Sequence, residues 1–274
     1  MNDPRQDAVR RLTEAGAGNP RLDVRLLWDH AQHNPGIFES YVMRRIAHEP
    51  VAYITGRKEF WSLDLEVGPG VLIPRPDTET IIEQVLDRFP NPGTPLKLLD
   101  LGTGSGCLLI ALLKEFPKAT GLGIDSSDKA LAIASRNVTR HGLDGRATLQ
   151  AGNWLEALDG GWDVIVSNPP YIPSGDIAGL DPDVRGYEPL SALDGGPDGL
   201  DAIRVLAAGL GRVLKGYAFI EFGIGQSAAV VAVAAGAGLE VIHIAADLGG
   251  IPRVLVTKSQ DRDEKSVGIG SVTG

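Results

Sequence analysis

The 274-residue sequence holds a single cysteine, Cys107. One thiol excludes an intrachain disulfide framework and a multi-cysteine metal site. The five histidines, His30, His33, His48, His141 and His243, fall at no metal-ligand spacing. A basic excess is also missing. Formal net charge is −9, which argues against a partner held mainly through its phosphates, DNA included. No apolar run reaches the roughly 18 residues of a membrane span; the longest, near Ala228–Leu239, is rich in Ala and Gly. The start, Met-Asn-Asp-Pro-Arg-Gln-Asp, has no apolar signal core. These absences predict a cytoplasmic protein with no membrane partner and no metal. What is present is ordinary for a soluble globular chain: 43% hydrophobic and 22% charged residues. The length allows one large domain or two modest ones.

Periodicity divides the chain. Apolar residues at helical spacing predict helices over 5–15, 21–32 and 38–48, with Asn-Pro breaks at 19–20 and 34–35. Residues 59–73 partly alternate around Gly68-Pro69-Gly70, which predicts a β-hairpin turning there, with Val71-Leu72-Ile73 as the returning strand. A helix is expected from Thr78 to Phe89. From Leu96 strands and helices alternate, with strands at 96–101, 120–124, 147–150, 163–167, 217–222, 240–245 and 253–257. Helices are expected at 107–115, 127–140, 200–214 and 226–237. This pattern predicts an α/β fold: a mostly parallel seven-stranded sheet covered by helices on both faces. A short loop through Gly249-Gly250 joins the last two strands, which should pair antiparallel at one edge. The expected division is a helical part at 1–57, a hairpin linker at 58–76, an α/β domain at 77–258 and a disordered polar tail at 259–274.

The first α/β strand ends in Asp100-Leu101 and runs into Gly102-Thr103-Gly104-Ser105-Gly106. The glycines permit a tight turn and close backbone approach to a ligand. Free amides at the following helix start favour a negative group, such as the methionine carboxylate of S-adenosyl-L-methionine. The dinucleotide pattern requires Gly or Ala where Cys107 stands. Cys107, in the first turn of a helix, is a candidate for a lowered pKa, although a packing role suits it better. The next strand ends at Asp125, where a carboxylate can accept both ribose hydroxyls. Trp154, after the third strand, is placed to pack on adenine. An ordinary glycine turn, a helix cap at Asp125 and a core tryptophan are the plain alternatives.

Asn168-Pro169-Pro170-Tyr171 follows the fourth strand, at the sheet's carboxyl edge, where open α/β sheets bind ligands. The tetrapeptide suits a planar NH₂ group. Asn168 Oδ1 and the Pro169 carbonyl can each accept one N–H, and these bonds strengthen as positive charge develops on nitrogen. Tyr171 can pack on the amide plane. With the glycine loop upstream, the combination points to an S-adenosylmethionine-dependent methyltransferase acting on an amide or amine nitrogen. Glu221-Phe-Gly-Ile-Gly-Gln226 could shape the site or could be a structural turn.

The chain also resembles the release-factor glutamine methyltransferase family. The resemblance lies in Pro50–Gly56, Glu59-Phe60, Val71–Glu79, Asp100–Gly106, Val166–Ile172, Glu188-Pro189, Ala192–Gly196 and Asp198–Asp201. Glu221, Gly223 and Gln226, and Asp247–Arg253, belong to it too. It implies a Rossmann-like methyltransferase sheet with a small N-terminal helical docking domain. It implies methylation of the side-chain amide of the glutamine in the Gly-Gly-Gln motif of class-1 peptide chain release factors. By position, Gly102, Thr103, Gly104, Ser105, Gly106, Asp125, Trp154 and Asn168 would contact S-adenosyl-L-methionine. Asn168, Pro169, Pro170 and Tyr171 would hold the acceptor amide, with Asn168, Pro169 and Tyr171 catalytic and Arg75 near the mouth. Two departures stand out: the helical part looks short between about Ala31 and Tyr41, and Asn153 occupies a position where the family often has Asp.

Two other readings share these motifs. A DNA adenine amino-methyltransferase uses the same tetrapeptide, but it must flip a base and grip DNA, and no basic insertion is evident. A non-catalytic cofactor-binding docking protein would not need both motifs intact.

Overall fold

The computed structural model describes residues 3–156 and 158–259. Three helices open the chain: α1 (Pro4–Glu14), α2 (Pro20–His30) and α3 (Pro35–Ile46). Each begins with a proline at its first position, after a side-chain cap from Asp3, Asn19 or Asn34. The Asn-Pro pairs therefore act as helix starts as much as breaks, and α3 begins three residues earlier than the periodicity alone predicts. The cap oxygen satisfies a free amide, and proline has no N–H to leave unpaired. Leu12, Leu27, Phe38 and Val42 form the buried core of this helical part. A short helix follows, α4 (Val51–Thr55), ending at Gly56 in the left-handed conformation.

The hairpin is present, but its turn is not where the sequence predicts it. Strands β1 (Arg57–Phe60) and β2 (Leu63–Glu66) pair antiparallel around Trp61-Ser62. Both turn residues have positive φ, +50° and +58°, the backbone that matches strand twist in a two-residue hairpin. Gly68-Pro69-Gly70 instead leads into irregular chain. There Val71 and Ile73 pack with Ala130 and Ile133 rather than forming a return strand. Phe60 and Leu65 are fully buried in the main core, so the hairpin is seated on the α/β body.

After α5 (Glu79–Arg88) come β3 (Lys97–Leu101), α6 (Cys107–Glu115), β4 (Thr120–Asp125), α7 (Asp128–Arg140), β5 (Ala147–Ala151) and β6 (Trp162–Ser167). Then follow α8 (Pro182–Tyr187), α9 (Asp201–Val213), β7 (Leu214–Glu221), α10 (Ser227–Gly236), β8 (Leu239–Ala246) and β9 (Pro252–Ser259). The seven-stranded sheet has the order β5-β4-β3-β6-β7-β9-β8. Neighbours from β5 to β7 are parallel, and β9 runs antiparallel to both β7 and β8. The last two strands thus pair antiparallel as expected; β9 slots inside and leaves β8 at the edge. Strand period two separates the cores: Val164 and Val166 of β6 face the side packed by α5, α6 and α7, while Ile165 faces α9 and α10. The tail expected to be disordered lies, from residue 260 on, outside the described residues. Among the described residues no helix is long and apolar enough to cross a membrane, and no group of three or more His, Cys, Asp or Glu could hold a metal ion.

The helical part is tied down by one buried ion pair. Arg45 Nε donates to Asp23 Oδ2 at 2.8 Å, and its Nη2 reaches Asp183 of α8 at 3.4 Å. Both partners of the short pair are nearly buried, 8% and 11% exposed. Removing one charge leaves the other unpaired in low dielectric. Asp23→Ala should therefore destabilise the helical part by about 3 kcal/mol, measured by chemical denaturation followed by far-UV circular dichroism.

Candidate active site

A cleft of about 400 Å³ opens at the carboxyl ends of β3, β4 and β6. Strand order reverses beside β3, with β4 on one flank and β6 on the other. The crevice above such a switch point is where doubly wound sheets bind ligands. Asp100, Gly102–Ser105, Asp125, Asn153, Trp154, Asn168 and Pro170 line it, so both sequence motifs meet in one cavity.

The glycine loop works by shape more than by free amides. Gly102, Gly104 and Gly106 all have positive φ, +73°, +57° and +82°. The amides of Gly102 and Thr103 both donate to the Ile124 carbonyl, and Gly106 N donates to Thr103 O. Gly104 N donates to Asp125 Oδ2 at 2.9 Å, while Ser127 N donates to Asp125 Oδ1 at 2.9 Å. These loop amides are taken within the protein, and of those at the start of α6, where the sequence places a negative group, Leu109 N donates to Asp100. In return, Asp125 is fixed at both oxygens, each with a lone pair left for a hydroxyl. Trp154 packs against Gly102: a Cβ there would lie 3.4 Å from the indole. Trp154 itself has φ +51°, an uncommon backbone for a bulky residue and one that clusters at ligand sites. Asn153 Nδ2 donates to Glu156 at 3.1 Å, which leaves its side-chain oxygen as an acceptor at the cleft.

Beneath the loop sits Asp100, 1% exposed. Thr103 Oγ1 and Leu109 N donate to its Oδ2, and its Oδ1 has no partner. Burial pushes its pKa up to about 7 against the pull of those two hydrogen bonds. An orphaned carboxylate oxygen on the cleft wall suits a cationic ligand group such as an ammonium. The Thr103 hydroxyl is turned inward onto Asp100 and away from any ligand. Cys107 does not become acidic: burial, with Asp100 beside it, raises the thiol to about 12. It is a packing residue in the cleft wall.

On the acceptor side, Asn168 Nδ2 donates to Thr78 Oγ1 at 3.0 Å. The Tyr171 hydroxyl donates to Glu221 Oε1 at 3.0 Å. Burial and the Glu221 charge raise the phenol's pKa, so it stays a donor. Gln226 braces the turn, with Nε2 donating to the Tyr171 carbonyl at 2.9 Å and Oε1 accepting from Gly223 N at 2.8 Å. The chain from Asp194 to Gly199 packs flush behind the tetrapeptide. A Cβ on Gly195 would meet Pro170 O and Tyr171 Cα at 2.8 Å, and one on Gly199 would collide with the Tyr171 carbonyl. Arg75 is half-buried and pairs with Glu188, which also accepts from Ile73 N at 3.0 Å. Arg253 bridges Asp77 and Asp247, both at 3.0 Å.

Fold and site together define a Rossmann-like methyltransferase: a glycine cradle over one strand end, a fixed carboxylate at the next, and an Asn-Pro-Pro-Tyr turn beside them. A family model for the methyltransferase small domain matches residues 78–178. The chain is 43% identical to the release factor glutamine methyltransferase of Rhodospirillum rubrum, over 90% of this chain and 82% of that one. It is 46% identical to the Geobacter sulfurreducens protein of the same name, over 89% of this chain and 91% of that one. Among solved structures, the hMettl16 catalytic domain, in complex with a MAT2A 3'UTR hairpin, aligns with TM-score 0.60 at 17% identity, covering 80% of this chain and 82% of that one. That likeness concerns the fold alone. The chain belongs to the release factor glutamine methyltransferase family.

Asp100, Thr78 and Glu221 carry more of the site than the sequence revealed. Their signal was position and resemblance: Asp100 is next to last in β3, Glu221 ends β7, and all three fall in the stretches that carry the family resemblance. Asp100 also makes a prediction with a definite sign. In the free protein its folded pKa, about 7, lies above the roughly 3.9 of an unfolded chain. The folded form then holds the extra proton between those values, so stability falls as pH rises from about 4 to about 7. Asp100→Asn should melt above wild type at about pH 8, with the gap closing as pH falls towards 4, while cofactor affinity drops. Differential scanning calorimetry and titration calorimetry read the two effects.

Proposed function

We propose that this protein transfers a methyl group from S-adenosyl-L-methionine to the side-chain amide nitrogen of the glutamine in the Gly-Gly-Gln motif of class-1 peptide chain release factors. The observation that carries the reading is the state of Asn168: its NH₂ is engaged behind by Thr78, which leaves its oxygen on offer at the cleft. An oxygen beside the Pro169 carbonyl makes a two-acceptor grip for an NH₂ group.

The residues present fit the cofactor. Asp125 would take the ribose hydroxyls, Trp154 and Asn153 the adenine, Gly102–Gly106 the close approach, and Asp100 the methionine ammonium. The bound cofactor supplies a methyl group on a positively charged sulfur. The rest is done by the protein's own groups. Asn168 Oδ1 and the Pro169 carbonyl accept the two N–H bonds of the glutamine amide and turn its nitrogen towards the methyl. As that nitrogen loses conjugation with its carbonyl and gains positive charge, both bonds strengthen, which favours the transition state over the ground state. Pro170 stiffens the turn, and Tyr171, anchored by its hydroxyl, covers the amide plane. No base acts before attack, because the nitrogen becomes acidic only as the C–N bond forms and the S–CH₃ bond breaks; its proton then passes to solvent, leaving the neutral amide and the demethylated thioether. The helical part at 1–57 is the docking domain for the release factor in this reading, the hairpin at 58–76 joins it to the methyltransferase domain at 77–258, and the setting is the cytoplasm.

The test is methyl transfer from labelled cofactor to a purified, unmethylated class-1 release factor, with duplex DNA in parallel. Label confined to the Gly-Gly-Gln glutamine is expected; label on DNA alone would overturn the reading. Asn168→Ala should lower kcat by about 10²–10³-fold with cofactor affinity nearly unchanged by calorimetry.

A further inference from the structure

Behind Asn168 lie two buried polar residues from distant parts of the chain. Thr78 precedes α5 and is 2% exposed; Glu221 ends β7 and is 1% exposed. The Tyr171 phenol donates to Glu221 Oε1 at 3.0 Å, and the Thr78 hydroxyl is near enough to hold the carboxyl's pKa down against its burial. Glu221 Oε2 has no hydrogen-bond partner of its own. A carboxylate at this depth is costly, and apolar residues of similar volume are often at least as stable. Its chemistry accounts for its presence.

An asparagine amide is nearly symmetrical in shape, so either end can face a ligand. Only the oxygen can accept from a substrate NH₂; the NH₂ end would set donor against donor. The choice is made by the atom behind. A threonine hydroxyl has one hydrogen. If that hydrogen points at Asn168, it holds the amide oxygen and turns the NH₂ to the cleft. An ionised carboxylate, which can only accept, draws the hydrogen away and leaves a Thr78 lone pair for Asn168 Nδ2. We propose that Glu221 and Thr78 are positioning residues that lock the Asn168 amide with its oxygen towards the acceptor. The proposal rests on the acceptor role given to Asn168 above.

Protonation would undo the lock, because a neutral carboxyl can itself donate. Burial raises Glu221 to about 7, with Asp77 adding to the rise while Thr78, Tyr171 and Arg253 oppose it. The neighbouring charged and titratable groups are thus Asp77 ahead of α5, Arg253 on β9 and Tyr171 after β6. Cys107 at the start of α6 also feels the Glu221 charge. Transfer should fall as pH drops through about 7.

The experiment compares wild type, Thr78→Val, Thr78→Ser and Glu221→Gln on a release factor, reading kcat, KM, cofactor affinity and the kcat–pH profile. Thr78→Val should lose about 10- to 100-fold in kcat, with KM and cofactor affinity within about twofold, and Thr78→Ser should keep most of the activity. Wild type should show an acid limb near pH 7 in kcat that Glu221→Gln, slow at every pH, lacks. Thr78→Val turning over at the wild-type rate would overturn the positioning role alone. A wild-type kcat that is flat between about pH 6 and 8 would do the same without any variant. Wild-type protein that leaves the release factor unmethylated would bring down the Asn168 reading and this inference together.

Discussion

A single 3.0 Å hydrogen bond between Asn168 and Thr78 spans 90 residues of sequence, and the acceptor side of the cleft is organised around it. For the bond to form, β6 must deliver Asn168 to the carboxyl edge of the sheet, and the segment before α5 must lie against that edge. The second requirement is met by clamps. Glu188 holds Ile73 N and Arg75, Arg253 holds Asp77, and Tyr53 donates to the Val71 carbonyl at 2.5 Å. Residues 71–78 form no regular strand, yet they are fixed at four points. The motif fragments scattered between residues 71 and 253 therefore converge. Most of them line the cleft; the two that do not, Glu221–Gln226 and Asp247–Arg253, brace Tyr171 and Asp77 beside it.

Two buried carboxyls flank the switch point. Asp100 lies under the glycine loop and Glu221 behind the acceptor turn, each with one unpaired oxygen and each raised to about 7 by burial. Strongly shifted groups in a cleft cluster at functional sites, and the surroundings of these two differ in kind. Asp100 is held by a hydroxyl and an amide in the wall of the cleft, and Glu221 accepts from the Tyr171 hydroxyl behind the tetrapeptide. In the proposed reading the same physical device, a carboxylate kept from water, attracts a ligand charge in one place and orients neutral dipoles in the other.

What the sequence made legible was local. A glycine at positive φ, a strand ending in Asp125 and a proline-stiffened turn all act within a few residues, so spacing alone located them. The hairpin turn was misread because Trp61-Ser62 adopts positive φ without glycine, while Gly68-Pro69-Gly70 carries the stronger turn composition. The Asn-Pro pairs read as breaks because proline interrupts a helix, although at the first position it starts one. The sequence leaves the amides at the start of α6 free for a negative group, whereas Leu109 N is taken by Asp100, which only the fold brings beneath it. From the residues themselves Thr78 is legible as a helix start, and Glu221 as part of a segment that could shape the site or be a structural turn. Their partnership across the sheet depends on strand order, which no window of sequence contains.

The helical part is coupled to the same framework. Arg45 reaches Asp183, and the Tyr187 hydroxyl donates to the Ala47 carbonyl at 2.7 Å, so α8 is bonded to the chain around α3. The residue after Tyr187 is Glu188, the carboxylate that fixes Ile73 and Arg75. A short path of hydrogen bonds and one peptide link thus joins the helical part to the segment at Ile73–Arg75. For a substrate as large as a protein, much of the cost of reaction lies in bringing one side chain to a fixed place and angle. A docking surface helps in that task only when its distance from the reacting atoms is constant. In the proposed reading, with the helical part as that surface, the bonds at Arg45 and Tyr187 hold the distance on one side and the Thr78–Asn168 bond holds it on the other.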